Sequence, residues 1–220
     1  MVKVVHKDYE KDYIMVTRDT VMIVCGGDDY SAGKIARYAA ESDYIIAADG
    51  GLDILTQCGI EPDMVIGDMD STKLAEKLDD LDRIVLKYPP EKDYTDSELA
   101  LRIALGFFPK RVWLFAATGS YADHSLVNII ITARNPLCTI VTSNASISYK
   151  TSPFEFESFI GQRFSLFPTE AVTNIRLIGA KYQYHNCDIQ AWEYSLGNES
   201  AGERVRVEFD SGSMLCILFD

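Results

Sequence analysis

VMIVCGGDDYSAGKIARYAAE, residues 21–41, joins an unbroken apolar run, Val21 to Cys25, to a helix-like stretch through the pair Gly26 and Gly27. The same order recurs downstream. YIIAA (44–48) precedes LDILTQC (52–58), DMVI (63–66) precedes TKLAEKL (72–78), and RIVLK (83–87) precedes DSELALRIAL (96–105). VWLFAA (112–117) precedes DHSLVNIIITA (123–133), and TIVT (139–142) closes the series. Strand then helix, repeated, predicts an α/β fold with a mainly parallel sheet covered on both faces by flanking helices. Thr95 and Glu98 stand at capping-box spacing before the helix at 96–105, and Gly106 then Pro109 supply its stop.

Beyond Pro153 the pattern changes to FEFESF, RFSLFP, RVRVEF and MLCILF, without a helical period. Alternating and aromatic-rich runs of this kind predict a C-terminal all-β, sandwich-like domain. The boundary is expected at 144–152, giving an α/β domain over 1–146 and a β domain over 147–220. The first 20 residues fit a hairpin on an edge of either domain.

The 220 residues are 47% hydrophobic and 25% charged, enough for a substantial core in one large domain or two small ones. With 21 Lys plus Arg against 33 Asp plus Glu, the formal charge is −12. This balance argues against nucleic acid or an anionic membrane as partner, and a bound nucleotide needs local compensation from metal ions or backbone N–H groups. The five cysteines are odd in number, scattered and without a C-x-x-C pair, which speaks against a disulfide framework or a zinc site and for a reducing cytoplasm. No apolar N-terminal leader or membrane-length apolar run is read in the sequence.

The unusual residues gather at the carboxyl ends of successive predicted strands: Gly26 and Gly27, Asp49 with Gly50, Asp68 with Asp70, Asp93, then Gly119 and Asp123. Open parallel sheets bind ligands at that edge. In GDMDS (67–71) Asp68 and Asp70 are one residue apart, so an extended backbone projects both carboxylates the same way, and a divalent cation removes their repulsion. One helix start needs one cap, so capping by Asp70 or Ser71 leaves the second carboxylate unexplained; Asp123 is equally read as the cap of 124–133. Asp93 and Asp96 flank Thr95 just before a helix N-terminus, a position that favours phosphate and metal. GGDDYSAGK lacks P-loop spacing, so Gly26 and Gly27 are either turn residues or a close-approach surface. His124 alone among the histidines accompanies this rim, and no Ser-His-Asp arrangement is present.

DGG (49–51), PDMVIGDMDS (62–71), DYTDSELAL (93–101) and GSYADHSLVN (119–128), followed by GQRFSLFP (161–168), GAKY (179–182) and SLGN (195–198), resemble the thiamine pyrophosphokinase family over most of residues 21–200. The resemblance implies pyrophosphoryl transfer from ATP to thiamine with release of AMP, in a cytoplasmic homodimer dependent on Mg²⁺. It implies Asp68, Asp70 and Asp96 as catalytic metal ligands. Gly26, Gly27, Asp93, Thr95, Gly119, Asp123 and His124 would lie along the nucleotide, and Asp49, Gly50, Tyr182, Ser195 and Asn198 around thiamine. On the residues alone, Tyr182 also fits a core position and Asn198 a loop turn with Gly197. The chain departs from the family pattern at Tyr121, where an arginine is usual, and at Gly197, where a serine is usual. A phenol does not replace a guanidinium in kind at a phosphate. Two other readings share these residues: a metal-dependent phosphoryl transferase acting on another alcohol, and a non-catalytic thiamine- or nucleotide-binding regulator.

Overall fold

The computed structural model describes residues 2–5, 13–68, 72, 84–89, 91 and 93–220, which form two compact units, Met1–Asn128 and Ile129–Asp220. The predicted helix at 72–78 lies outside the described residues apart from Thr72, as do Asp70 and Ser71.

In the first unit, β1 (Val2–Val5) and β2 (Tyr13–Val16) pair antiparallel as a separate two-stranded sheet, the hairpin expected of the N-terminal residues. The main sheet comprises β3 (Thr20–Val24), β4 (Tyr44–Ala48), β5 (Met64–Gly67), β6 (Ile84–Lys87) and β7 (Arg111–Phe115). Their spatial order is β7-β3-β4-β5-β6, with every pair parallel. The apolar runs of β3, β4 and β5 are buried throughout because neighbours cover both faces, whereas β6 is largely exposed at the edge.

Between the strands run α1 (Ala32–Ala40), α2 (Gly51–Gln57), α3 (Asp96–Gly106) and α4 (Ala122–Thr132). Ser31 caps α1 by accepting the Lys34 N–H at 3.4 Å, and Ile35 is its fully buried anchor. Tyr38 sets its ring edge-on against Trp113 and Phe115 of β7, at 4.6 and 5.2 Å between centroids. Thr95 caps α3 as the sequence predicts, accepting the Glu98 N–H at 3.2 Å. The helix α4 begins one residue before Asp123, so Asp123 is not its cap; its carboxylate instead accepts the neighbouring His124 N–H at 2.9 Å. After β3, β4, β6 and β7 the chain leaves the carboxyl edge of the sheet and returns as α1, α2, α3 and α4.

The second unit is all-β after the last turn of α4. One sheet has the order β14-β11-β16-β9-β8, from β8 (Cys138–Val141), β9 (Ala145–Lys150), β11 (Arg163–Pro168), β14 (Ser195–Glu199) and β16 (Met214–Phe219). The other has the order β10-β15-β12-β13, from β10 (Phe154–Glu157), β12 (Val172–Ile178), β13 (His185–Ile189) and β15 (Arg204–Glu208). All described pairings within them are antiparallel. RVRVE in β15 buries Val205 and Val207 and exposes Arg204 and Arg206, the period of two that places alternate side chains on one face. Phe164, Leu166, Met214 and Cys216 from the first sheet and Val172, Ile175, Leu177, Ile189, Val205 and Val207 from the second share one core, which makes the unit a sandwich.

None of the five cysteines is in a disulfide. Burial pushes the Cys138 and Cys216 thiols up to about 12. Among the described residues no helix is long and apolar enough to cross a membrane.

Candidate active site

Three segments bring carboxylates together at the carboxyl edge of the parallel sheet. Asp49 leaves β4 in the left-handed region, at φ 47°, a conformation that Asp tolerates better than most residues. Its N–H donates to the Ile66 carbonyl of β5 at 2.8 Å, which ties the two strand ends together. Asp68 directly follows β5, and Asp96 opens α3 behind its Thr95 cap. One carboxylate oxygen from each of Asp49, Asp68 and Asp96 lies within 4.8 Å of the others, and all three residues are half-buried.

Like charges at this spacing repel, and a hard cation bound through oxygen is the chemistry that relieves them. One further observation fits such an ion: Asp49 Oδ1 is buried and has no hydrogen-bond partner among the described residues. The donors are all carboxylate oxygens, the set suited to Mg²⁺, Mn²⁺ or Ca²⁺ and not to zinc. Asp49 thus stands with Asp68 and Asp96, although the resemblance grouped it with thiamine; the third expected ligand, Asp70, lies outside the described residues.

The loops after β3 and β7 are clasped to each other. Gly27 N–H donates to the Ala116 carbonyl at 2.8 Å and Asp29 N–H to the Thr118 carbonyl at 3.2 Å. Thr118 Oγ1 donates to Asp29 at 3.0 Å, Ser120 N–H donates to Asp28 Oδ1 at 2.8 Å, and the Ser120 hydroxyl donates to the other Asp28 oxygen. A β-carbon on Gly27 would collide with the carbonyl oxygens of Thr118 and Ala116, so protein packing alone already requires this glycine. Gly26 faces Gly50, where an added β-carbon would stand 3.4 Å from the Gly50 α-carbon. The hydrogen bonds from Ser120, side chain first and backbone second, hold the Asp28 carboxyl below its ordinary value. Neither Asp28 nor Ser120 stood out in the sequence; one acidic residue in GGDD and one serine in a loop carry no distinguishing pattern.

Around this clasp, Gly119 N–H donates to Ser125 Oγ at 3.0 Å, and Tyr121 is 74% exposed with its ring 5.8 Å from that of His124. Asp93, Asp123 and His124 are exposed. The Thr95 hydroxyl is engaged within α3.

Within the second unit, Tyr182, Ser195 and Asn198 meet at edge strand β14, but with unequal roles. Asn198 is fully buried: its Nδ2 donates to the Tyr182 carbonyl at 2.7 Å and to Ser195 Oγ at 3.3 Å. Its Oδ1 accepts the N–H groups of Tyr182 at 3.1 Å and Glu199 at 2.9 Å. The amide therefore holds the Tyr182 backbone, and the Tyr182 ring is left 63% exposed. Ser195 is half-buried and also hydrogen-bonds Tyr184, whose phenol burial pushes above its usual range.

Carboxylates gathered at the carboxyl edge of a parallel sheet define an α/β protein with a candidate cation site where such folds bind their ligands. Residues 35–141 match the model of the thiamin pyrophosphokinase catalytic domain. A thiamine pyrophosphokinase from Bacillus subtilis (strain 168) is 29% identical over 208 residues, spanning 90% of this chain and 97% of the relative. The crystal structure of thiamine pyrophosphokinase from Bacillus subtilis superposes with a TM-score of 0.80 at 27% identity, covering 91% of this chain and 98% of that one. That of thiamin pyrophosphokinase from Geobacillus thermodenitrificans gives 0.79 at 26% identity, covering 91% and 97%. The chain is thus similar over residues 35–141 to the thiamin pyrophosphokinase catalytic domain, and over about nine-tenths of its length to thiamine pyrophosphokinases.

Proposed function

We propose that this chain transfers a pyrophosphoryl group from ATP to the hydroxyl of thiamine, giving thiamine diphosphate and AMP. The observation that carries this reading is the convergence of Asp49, Asp68 and Asp96 at the carboxyl edge of a parallel sheet in a chain whose relatives are thiamine pyrophosphokinases. Mg²⁺ is the proposed cofactor, held by Asp68 and Asp96 with Asp70 from GDMDS and Asp49 beside them; when bound it offsets phosphate charge.

The rest of the work falls to the chain. The loop clasp around Gly26, Gly27 and Gly119, with Asp93, Thr95, Asp123 and His124, lines the nucleotide. Tyr182 offers thiamine an aromatic face, Ser195 a hydroxyl, and Asn198 sets the Tyr182 backbone, with Gly50 beside the carboxylates. In the reaction the thiamine hydroxyl gives up its proton to solvent and its oxygen bonds to the β-phosphorus, the bond from that phosphorus to the α,β-bridging oxygen breaks, and AMP departs with the electron pair. Positioning and charge stabilisation supply most of the rate in such transfers.

Residues 1–146 form the nucleotide- and metal-binding part and 147–220 the thiamine-binding and dimerisation part of a cytoplasmic homodimer. Support for the dimer comes from the exposed Tyr182, Trp192, Tyr194 and Leu196, at 61–67%, on or beside edge strand β14.

Incubation with Mg-ATP and thiamine, with chromatography of both product pools, tests the reading. AMP and thiamine diphosphate are expected in equal amounts, with AMP formation dependent on thiamine. ADP with a monophosphate ester would show an ordinary kinase, and no nucleotide product from folded protein would show a binder.

A further inference from the structure

Asn128 is a polar residue in the apolar stretch LVNIII of α4, and it is only 5% exposed. A buried amide needs partners for both of its ends. Its Nδ2 donates to the Ala117 carbonyl at 2.7 Å, just past the end of β7, and its Oδ1 accepts from Ser97 Oγ at 2.6 Å. The direction of this bridge is settled by chemistry. A carbonyl only accepts, so the NH₂ must face Ala117, and Oδ1 then takes the hydroxyl proton of Ser97. Ser97 Oγ has no second proton, so the 3.0 Å contact with Thr95 Oγ1 is donated by Thr95, which in turn accepts the Glu98 N–H. Ser97 is 9% exposed and is the second residue of α3; the first is Asp96.

We infer that Asn128, acting through Ser97, is a positioning residue that fixes the first turn of α3 and with it the Asp96 carboxylate among Asp49 and Asp68. Neither side chain is within the carboxylate group itself. The bridge registers the exit of β7 against the entry of α3, so the place of Asp96 follows from a buried hydrogen-bond chain whose every proton is assigned. This inference deepens the proposed function, since it concerns the metal-holding group of the same site.

The test is titration of Mn²⁺ onto the full chain stripped of metal, read by the electron paramagnetic resonance of the free ion, together with kcat and KM. Ser97→Ala and Asn128→Asp are expected to weaken Mn²⁺ binding about tenfold and to lower kcat with the thiamine KM unchanged, as loss of groups that orient metal ligands does. Asn128→Asp keeps the shape but presents an acceptor to the Ala117 carbonyl. Asn135→Ala serves as control: it removes an amide that donates to Ile131 O at 2.7 Å at the far end of α4, and it should lower Tm without moving Mn²⁺ affinity. If Asn128→Asp does not fold, Ser97→Ala decides. A folded Ser97→Ala protein with wild-type Mn²⁺ affinity and kcat overturns the inference. Weakened Mn²⁺ binding in a chain that makes no thiamine-dependent AMP upholds the positioning role and overturns the proposed reaction instead.

Discussion

A β-carbon placed on Gly67 would stand 3.1 Å from the β-carbon of Asp49 and 3.3 Å from the carboxyl carbon of Asp96. The glycine that ends β5 is thus the wall against which two of the three gathered carboxylates rest, and its φ of 150° lies where other residues are strained. Gly67→Ala is expected to cost roughly 1–3 kcal/mol in urea unfolding and to reduce turnover much more than that loss of stability accounts for. Wild-type kcat in a folded Gly67→Ala protein would separate the glycine from the site.

Asp49→Asn changes charge without changing backbone tolerance, since Asn also occupies the left-handed region in which Asp49 sits. In metal-free protein it should raise stability by roughly 1 kcal/mol, because one of three like charges within 4.8 Å is removed. Added Mg²⁺ should then stabilise the variant less than the wild type, through weaker binding to the folded state. Thermal melts with and without Mg²⁺ check both signs; a lower metal-free Tm would argue that Asp49 is a structural group.

The Asp28 clasp has a pH signature. Its carboxyl is held below the ordinary value of 3.8 by Ser120, so its contribution is complete above that value and is lost as pH falls through the lower folded-state value. NMR titration of the Asp28 carboxyl and the Ser120 amide should show one shared transition below 3.8. In Ser120→Gly, which keeps the N–H donor and loses the hydroxyl, the transition should move part of the way back. An unchanged titration in that variant would remove the hydroxyl as the leading cause.

Asn198→Ala should cost about 1–3 kcal/mol, because it removes a fully buried amide and strands the Tyr182 N–H and carbonyl that the amide now satisfies. Under the proposed function it should also raise the thiamine KM while leaving the ATP KM unchanged. Equal effects on both constants would indicate general loosening and not a displaced Tyr182.

What the sequence by itself determined are the features whose causes are local. Apolar runs with no polar interruption became β3, β4 and β5 because burial on both faces rewards them, and Thr95 capped α3 because a hydroxyl three residues before Glu98 reaches its N–H wherever the helix is placed. GDMDS and the other loop motifs were legible as chemistry because glycines and paired carboxylates are costly at strand ends without a purpose. Which carboxylates meet was decided only by the tertiary structure. Asp49 and Asp68 are 19 positions apart in sequence and come together because β4 and β5 are parallel neighbours, joined at the Asp49 N–H to Ile66 carbonyl bond, and Asp96 joins them from a helix. The direction of a side chain is equally invisible in a motif: Asn198 fits the pattern of a ligand contact, yet it points inward and spends its amide on the Tyr182 backbone. Periodicity and capping act over a few residues and can be read along the chain, whereas strand order and the pairing of buried polar groups depend on which segments the fold brings into contact.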